Sequence, residues 1–371
     1  MADTSPMPQE DARFLAEQII TYIGNKRALL GFIGQGVRQV CARLGRTRLR
    51  CWDAFSGSGI VARYLKQFSS ELYANDLEDY SRVLNACYLS NASALDMPQL
   101  HAALQHVRQQ ALADMQPGLV AELYAPQDDT CIRPGERVFF TRRNACYIDS
   151  ARRAIATLPP ALQVYALAPL LCEASVHNNT GGVFKGFYKD ARGLGQFGGQ
   201  GRHALERILR DIELPTPIFS RFECPYHVLQ GDARAVATRL PELDLAYLDP
   251  PYNQHPYGSN YFMLNLIVSH RRPAAISPVS GIPADWNRSP YNKRAKAAQE
   301  LFALVEACPA RFILISYNSE GFVPPDAFVD TLQHLGKLSV LEQEYNTFRA
   351  CRNLCNRSIK VREFLFLLEK L

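Results

Sequence analysis

The stretch LRCWDAFSGSGI, residues 49–60, decides the predicted fold class. Its apolar start, Leu49 to Trp52, predicts a short buried strand, and two glycines separate this strand from the helical periodicity of IVARYLKQF, residues 60–68. A second short strand is predicted in ELYANDLE, residues 71–78. A strand, a glycine turn, a helix and another strand form the opening unit of a doubly wound α/β fold with parallel strands.

The rest of the chain divides into a helical stretch and a second set of strands. Helical patterns and a Gly-, Asn- and Lys-rich passage, which suits a hairpin or a flexible loop, dominate residues 81–222. Strand-like segments return after residue 222. We therefore predict one α/β domain, residues 1–80 and 223–371, that is interrupted by an insertion, residues 81–222. Helical spacing also predicts a helix over residues 12–22.

Composition excludes several classes of protein. The 371 residues carry a formal net charge of +5, with no apolar run near the ~18 residues of a membrane span. No secretory signal is recognisable, so we expect a cytoplasmic protein. The ten cysteines form no CxxC pair, and the close pair Cys351 and Cys355 is too little for a zinc site, so we expect no metal. Several clusters of Lys and Arg favour a polyanionic partner, although any single cluster suits a solvated surface.

Residues 53–59, DAFSGSG, and Asp76 favour a site for a nucleoside-bearing cofactor. Glycines between a strand and a helix let the backbone approach a ligand closely, and an acidic residue at the end of the next strand binds ribose hydroxyls in doubly wound folds. A tight strand-to-helix connection and a helix cap by Asp76 are the structural alternatives. The sequence contains no GxxxxGK[ST] motif, which argues against nucleoside triphosphate binding by a P-loop.

The stretch DLAYLDPPY, residues 244–252, ends a predicted buried strand in a carboxylate and two prolines. Asp249 then lies at the carboxyl edge of the sheet, where open α/β folds bind ligands. Its carboxylate and the Pro250 carbonyl offer two acceptors on a rigid backbone, which complement an –NH2 group, and Tyr252 offers a flat ring face. The stretch predicts a receptor for an exocyclic amine on a heteroaromatic base. Asp249 as a helix cap and Tyr252 as a packing residue are the alternatives.

Four motifs occur in an order that resembles the amino-methylating DNA methyltransferases: YIGNK (22–26), FSGSG (55–59), GDA (231–233) and LDPPY (248–252). The long insertion between the second and third motifs is similar to that of the Dam-type adenine-N6 class, in which a recognition domain interrupts the catalytic fold. The resemblance covers most of the chain from Tyr22 onward. It implies a Rossmann-like, doubly wound mixed sheet, the S-adenosylmethionine-dependent methyltransferase fold, with a mainly helical target-recognition insertion.

The resemblance also implies a site. The cofactor would be S-adenosyl-L-methionine, and the target adenine would be flipped out of duplex DNA, because its amino group is unreachable in a stacked pair. The structural alternatives are that Lys26 is an ordinary surface lysine and that Asp232 is a turn residue. The implied cofactor-binding residues are Tyr22, Gly24, Lys26, Asp53, Phe55, Gly57, Gly59, Asp76 and Asp232. The implied catalytic residues are Asp249, Pro250, Pro251 and Tyr252.

Side chains of the insertion and of the basic clusters would contact DNA. In the major groove Asn suits adenine and Lys or Arg suits guanine, whereas basic clusters elsewhere grip phosphate. A glycine-rich connection between helices is the alternative for the loop of the insertion. The candidate DNA-binding residues are Asn178, Asn179, Lys185, Lys189, Arg288, Lys293, Arg349 and Arg352.

The sequence thus predicts a site-specific adenine-N6 DNA methyltransferase without membrane attachment, as a monomer or weak dimer. It would be either an orphan methylase or the companion of a cognate restriction endonuclease. Cytosine-N4 methylation uses the same pocket, more often with Ser in place of Asp249. RNA adenine-N6 methylation and a non-catalytic DNA-binding subunit are further alternatives, and the intact DPPY and FSGSG motifs argue against the last.

Overall fold

The computed structural model describes residues 9–199, 201–202, 204–346 and 360–371. Its strands form one sheet. They are β1 (Leu49–Asp53), β2 (Ser69–Asp76), β3 (Tyr226–Gln230), β4 (Leu243–Leu248), β5 (Ala310–Asn318), β6 (Gly336–Asn346) and β7 (Lys360–Lys370). Their order is β3-β2-β1-β4-β5-β7-β6. Because β7 runs antiparallel to β5 and β6 while the other neighbours are parallel, the predicted mixed doubly wound sheet is confirmed.

The connections of the sheet reverse direction between β1 and β4. From β1 the chain continues to β2 and β3 on one side, whereas β4 leads to β5 on the other side. The two strands are parallel neighbours, with Asp53 opposite Tyr247, so their carboxyl ends lie side by side. Such a switch point opens a crevice that open α/β sheets use to bind ligands. The glycine turn follows β1 and the DPPY motif follows β4, so both motifs lie at this crevice.

Helices cover both faces of the sheet because neighbouring residues of its buried strands point to opposite sides. In β1, Cys51 packs toward α2 and α3, and Trp52 packs toward α10, α13 and α14. The α-helices of the described residues are α1 (Ala12–Ala16), α2 (Leu30–Leu44), α3 (Ile60–Leu65), α4 (Asp79–Tyr88), α5 (Met97–Ala113), α6 (Leu119–Tyr124), α7 (Arg142–Ala156), α8 (Pro160–Val176), α9 (Leu205–Leu209), α10 (Ala233–Ala237), α11 (Tyr257–Asn260), α12 (Phe262–Ser269), α13 (Arg294–Ala307) and α14 (Pro325–Leu332).

A separate hydrophobic core joins the helices of residues 81–222 to helices on either side of that range. Leu104 of α5, Ile148 of α7 and Leu171 of α8 share this core with Phe14 of α1 and Leu264 of α12. Helix α1 lies before residue 81 and α12 lies after residue 222, so helices outside the predicted insertion contribute to its core. A separate target-recognition domain of residues 81–222 stays a prediction.

The prediction of a helix over residues 12–22 is correct for its first five residues and wrong for the rest. Helix α1 ends at Ala16, and Gln18 has a positive φ of 54°. The carbonyls of Glu17 and Gln18 accept hydrogen bonds from the buried guanidinium of Arg63, whose carbon lies 4.7 Å from the ring centroid of Phe14. Arg63 therefore ties the start of the chain to α3, and the following residues reach the crevice instead of continuing a helix.

Candidate active site

The crevice between the carboxyl ends of β1 and β4 brings together most of the predicted cofactor residues. Its first wall is the glycine turn, where Gly57 and Gly59 have positive φ angles of 51° and 80°. The amide of Gly57 donates to Asp76 Oδ2 at 2.7 Å, and the amide of Glu78 donates to Asp76 Oδ1 at 2.9 Å. The turn is thus fixed to the end of β2. The predicted residues that line the crevice are Tyr22, Gly24, Phe55, Asp76, Asp232, Asp249, Pro251 and Arg288.

Asp53 is buried at the end of β1, beneath the glycine turn, and is fully excluded from solvent. Neither of its carboxylate oxygens has a hydrogen-bond partner among the described residues. Burial raises the pKa of this carboxyl well above its usual value, the negative charges of Asp249 and Asp76 raise it further, and the nearby backbone amides of Phe55 and Ala62 lower it in part. The low polarity of its surroundings and two neighbouring acids therefore favour the protonated form of Asp53.

A stack of tyrosines holds the YIGNK segment over the glycine turn. The ring of Tyr22 packs against those of Tyr257 and Tyr261, with centroid distances of 4.9 Å and 4.7 Å, and those two rings lie 6.0 Å from each other. The backbone of Ile23 donates to the Tyr261 hydroxyl at 2.7 Å and accepts from the Tyr257 hydroxyl at 3.2 Å. Tyr257 and Tyr261 follow the DPPY motif, so this loop and the YIGNK segment are bound together above the crevice.

The buried ammonium of Lys26 forms ion pairs with two carboxylates. Its Nζ lies 3.1 Å from Asp249 Oδ1 and 3.1 Å from Glu363 Oε1. Burial raises the pKa of Asp249 to about 6, the charge of Lys26 lowers it, and the charge of Glu363 raises it. Sequence reasoning missed both ion pairs. The one available sign was that Glu363 is an acid within the apolar strand that ends the chain.

Tyr252 presents a half-buried ring beside this cluster. Lys26 Nζ lies 5.8 Å from its ring centroid, and the ring of Tyr317, from β5, meets it edge-on at 6.1 Å. The backbone carbonyl of Tyr252 accepts from the Phe322 amide at 2.9 Å. Between Asp249 and Tyr252, Pro250 is buried and Pro251 is half-buried. The segment that follows β5 thus fixes the position of the aromatic ring of the DPPY motif.

The opposite wall of the crevice includes a tyrosine that sequence reasoning did not single out. Tyr291 is buried and meets the ring of Phe55 edge-on at 5.1 Å, and its hydroxyl has no hydrogen-bond partner among the described residues. Burial raises the pKa of Tyr291, and the charge of Asp232 raises it further. Asp232 itself is exposed and caps α10 by accepting from the amides of Arg234 and Ala235. Tyr291 lies within a stretch whose basic residues suggested only phosphate contacts.

Glu78, also at the end of β2, holds the far end of this wall. Its Oε2 accepts from the side-chain amides of Asn265 and Asn287 at 2.6 Å and 3.1 Å. Burial, followed by the charge of Asp76, raises the pKa of Glu78 to about 7. The loop around Asn287 packs closely on Gly258, where a Cβ would lie 2.3 Å from the Asn287 carbonyl oxygen. The loop around Asn287 is therefore held at the crevice by two contacts, one with Glu78 and one with Gly258.

The predicted DNA-binding residues fall into three groups. Asn178 and Asn179 are buried, and their side-chain amides donate to backbone carbonyls: those of Ala174 and Ser175, and those of Val138 and Gln196, respectively. A DNA contact by either amide would require those hydrogen bonds to break, and the DNA-binding role of these two residues stays a prediction. Exposed positions are held by Lys185, Lys189, Arg288 and Lys293. Arg349 and Arg352 lie outside the described residues.

None of the described groups of His, Cys, Asp and Glu side chains has the arrangement of a metal site. Within the same described ranges, no helix is both long enough and apolar enough to span a membrane.

Most of the chain is similar to known adenine-specific DNA methyltransferases. A family model described as D12 class N6 adenine-specific DNA methyltransferase matches residues 22–273. Type II methyltransferase M.NlaIII of Neisseria lactamica is 28% identical over 360 residues, which cover 95% of this chain and 99% of that protein. Type II methyltransferase M.CviAII of Paramecium bursaria Chlorella virus 1 is 27% identical over 353 residues, which cover 94% and 97%. Modification methylase StsI of Streptococcus sanguinis is 24% identical, with 94% of this chain aligned to 52% of that protein.

Proposed function

Because the chain belongs to the D12 class of N6 adenine-specific DNA methyltransferases, we propose that it uses S-adenosyl-L-methionine to methylate an adenine flipped out of duplex DNA at a specific sequence. The observation that carries this proposal is the position of Asp249. Its carboxylate, 18% exposed, follows β4 at the switch point of the sheet, next to the glycine turn and beside the ring of Tyr252. A donor of methyl groups and an aromatic amine can therefore meet at one crevice.

The residues of the crevice fit this cofactor. Phe55 and Tyr291 offer apolar surface for an adenine ring, the Tyr291 hydroxyl has no hydrogen-bond partner among the described residues, and Asp53 lies beneath the glycine turn. Asp76 would hold the ribose, Asp232 the adenine, and Tyr22 and Gly24 the methionine portion. When bound, the cofactor supplies an electrophilic methyl group on a sulfonium.

Asp249 and Pro250 would activate the amino group of the target adenine. Lys26 pairs with Oδ1 of Asp249, which leaves Oδ2 as an acceptor for one N–H, and the Pro250 carbonyl would accept the other. Two such hydrogen bonds favour a pyramidal nitrogen with its lone pair directed at the methyl group. Positive charge then develops on this nitrogen, and the carboxylate stabilises it. Asp249 need not be a strong base, because the methylated amine is acidic until it loses its proton.

Exposed basic residues would provide the DNA surface. We propose that Lys185 and Lys189 contact DNA from the glycine-rich loop, and that Arg288 and Lys293 contact the phosphate backbone near the crevice. The relatives named type II methyltransferases and modification methylases favour a role beside a restriction endonuclease in the cytoplasm. A monomer is sufficient for this chemistry, since one chain holds every proposed catalytic and cofactor residue.

Methyl transfer in vitro tests the proposal. The purified protein is incubated with S-adenosyl-L-methionine carrying a labelled methyl group and with duplex DNA, and the DNA is then digested to nucleosides. We expect label in N6-methyldeoxyadenosine alone. N4-methyldeoxycytidine as the sole product, or label in ribosomal RNA but not in duplex DNA, would contradict the proposal. Sequencing of DNA from cells that express the protein, with modified bases identified at each position, gives the recognition sequence.

A further inference from the structure

Glu363 is a buried acid far from the sequence motifs that nevertheless reaches the catalytic cluster. It lies on β7, directly opposite Asn318 of β5, and is fully excluded from solvent. Its Oε1 accepts from the Ser316 hydroxyl at 2.6 Å and pairs with Lys26 Nζ at 3.1 Å. Its Oε2 accepts from the Asn318 side chain at 3.4 Å. Strand β5 therefore fixes the position of this carboxylate from two points.

Lys26 is thus shared between a fixed carboxylate and a catalytic one. The residue is 3% exposed, so the charge of its ammonium requires nearby counterions rather than water. The distances to Asp249 Oδ1 and Glu363 Oε1 are both 3.1 Å, and the cluster holds one positive and two negative charges when all three groups are ionised. If Glu363 were neutral, the ammonium would be balanced by Asp249 alone and would neutralise it more completely.

We propose that Glu363 is a positioning residue, which shares the ammonium of Lys26 so that this charge neutralises the Asp249 carboxylate only in part and leaves one of its oxygens open to the adenine amino group. This inference rests on the proposed role of Asp249 as the acceptor for that amino group. Glu363 itself does not touch the substrate. Its part is to hold the ammonium on the side of Asp249 that faces β5 and β7.

The other groups that face Asp249 do not supply a competing cation. In the described part of the chain, Lys26 is the one cation within ion-pair distance of Asp249. The remaining groups are acids, or tyrosines that are neutral at physiological pH. They are Asp53 from β1, Tyr247 from β4, Tyr257 from α11 and Glu363 from β7, with Tyr252 beside Lys26.

The test is the titration of Asp249 in four forms of the protein: wild type, Glu363→Gln, Lys26→Gln and the double variant. Carboxyl carbons of Asp are labelled with ¹³C, and the Asp249 resonance is identified by its loss in Asp249→Asn. Glu363→Gln should lower the pKa of Asp249 by about one pH unit, because a negative charge is removed. Lys26→Gln should raise it by about as much or more, because two carboxylates then face each other. The double variant should return toward the wild-type value.

Glu369→Gln is the matched control. Glu369 lies on the same strand but pairs with Arg43 and Arg311 at the surface, so its substitution should leave the titration of Asp249 unchanged. Single-turnover methyl transfer between pH 5 and pH 8 provides a second readout. Its acidic limb should move to lower pH in Glu363→Gln and to higher pH in Lys26→Gln, while the Kd for DNA changes little.

Opposite shifts separate charge balance from simple damage to the fold. An unchanged Asp249 pKa in a folded Glu363→Gln variant, or shifts in the same direction in both single variants, would overturn the positioning role. If Lys26→Gln does not fold, the other two variants decide: the Asp249 pKa should fall in Glu363→Gln and should lie above that lowered value in the double variant. If the Asp249 pKa shifts as expected among the four forms but the wild-type protein transfers no methyl group to DNA, the result contradicts the proposed function alone.

Discussion

The hydroxyl oxygen of Tyr22 lies 2.8 Å from the point where a Cβ atom of residue 57 would be, so the two residues leave space for glycine only. The conformation of Gly57 imposes the same restriction, because its φ is 51°. Tyr22 cannot easily move away, since its ring is stacked against both Tyr257 and Tyr261. The glycine of the cofactor turn and the tyrosine of the YIGNK segment are therefore mutually dependent.

Gly57→Ala should weaken both the fold and cofactor binding. The added methyl group meets Tyr22 and forces a left-handed conformation on alanine, so we expect the free energy of unfolding to fall by about 1–3 kcal/mol. Displacement of Tyr22 from the crevice should weaken binding of S-adenosyl-L-methionine by about tenfold or more. Urea unfolding measures the first effect and isothermal titration calorimetry the second.

Gly45→Ala is the control for backbone strain. Gly45 also has a positive φ, 62°, but a Cβ there would meet nothing within 4 Å. Its substitution should cost about 1–2 kcal/mol of stability and leave cofactor affinity unchanged. Equal cofactor affinities in the two variants would show that Tyr22 and Gly57 do not shape the cofactor site.

Asp249→Ala should abolish methyl transfer and leave the protein folded. Lys26 keeps Glu363 as its counterion in this variant, so no buried charge loses all of its partners. Without the carboxylate, the charge that develops on the adenine nitrogen is unopposed, and the rate should fall on the order of 10³-fold or more. The measurement is single-turnover transfer of labelled methyl groups, together with separate binding assays for cofactor and DNA, which should remain measurable. Asp330→Ala, at an exposed position of α14, is the control, and turnover near wild type in Asp249→Ala would disprove the mechanism.

Tyr252→Ala should reduce catalysis because a stacking surface is removed. Base–aromatic stacking contributes about 1–3 kcal/mol, so kcat/KM should fall by a corresponding factor of roughly 5 to 150. Tyr252→Phe keeps the ring beside Tyr317 and should retain most of the activity. Steady-state kinetics on one short duplex compares the three proteins. If the alanine variant matches wild type, Tyr252 only packs against the end of β5.

The sequence was sufficient to predict the elements whose information is local. Apolar runs indicated the strands that form the sheet, and the glycine turn together with DPPY indicated which strand ends carry the site. The ion pair of Lys26 with Glu363 was beyond such reasoning. Glu363 reaches the site because β7 returns antiparallel to β5 and places it opposite Asn318, and no periodicity within either strand encodes that pairing.

The burial of Asn178 and Asn179 was beyond sequence reasoning for a related cause. Their side-chain type suits base reading, and the glycine-rich sequence around them suggested an exposed loop. However, Asn179 lies against the backbone of Val138 and Gln196, and its Oδ1 also accepts from the Gly198 amide at 3.0 Å. A loop that closes on itself needs buried amides to satisfy its backbone, and this requirement becomes visible only once the surrounding segments are placed.

The exposed lysines of the same loop should contribute to DNA affinity without taking part in the methyl-transfer reaction. Replacement of both Lys185 and Lys189 by Ala should weaken DNA binding and lower the slope of log K against log[salt] by about 2, because two phosphates are no longer neutralised. Fluorescence anisotropy with a labelled duplex at several salt concentrations measures both quantities. Asn179→Ala is the contrasting variant, which should lower the stability of the protein and leave the salt slope unchanged. An unchanged slope in the double lysine variant would remove these residues from the DNA surface.

Asp53→Asn should change how stability depends on pH. Burial and two neighbouring acids raise the pKa of Asp53 in the folded protein above the value of about 3.9 in an unfolded chain. Between these two pKa values the folded state binds more protons than the unfolded state, so the stability of wild type falls as pH rises through that window. Asparagine does not titrate, and the free energy of unfolding of Asp53→Asn minus that of wild type should therefore increase from about pH 4 upward, by about 1.4 kcal/mol for each pH unit between the two pKa values. Urea unfolding at intervals from pH 4 to pH 8 checks the sign. Asp330→Asn, at an exposed position, is the control for loss of one acidic side chain, and a flat difference for Asp53→Asn would mean that Asp53 ionises in the folded protein as freely as in water.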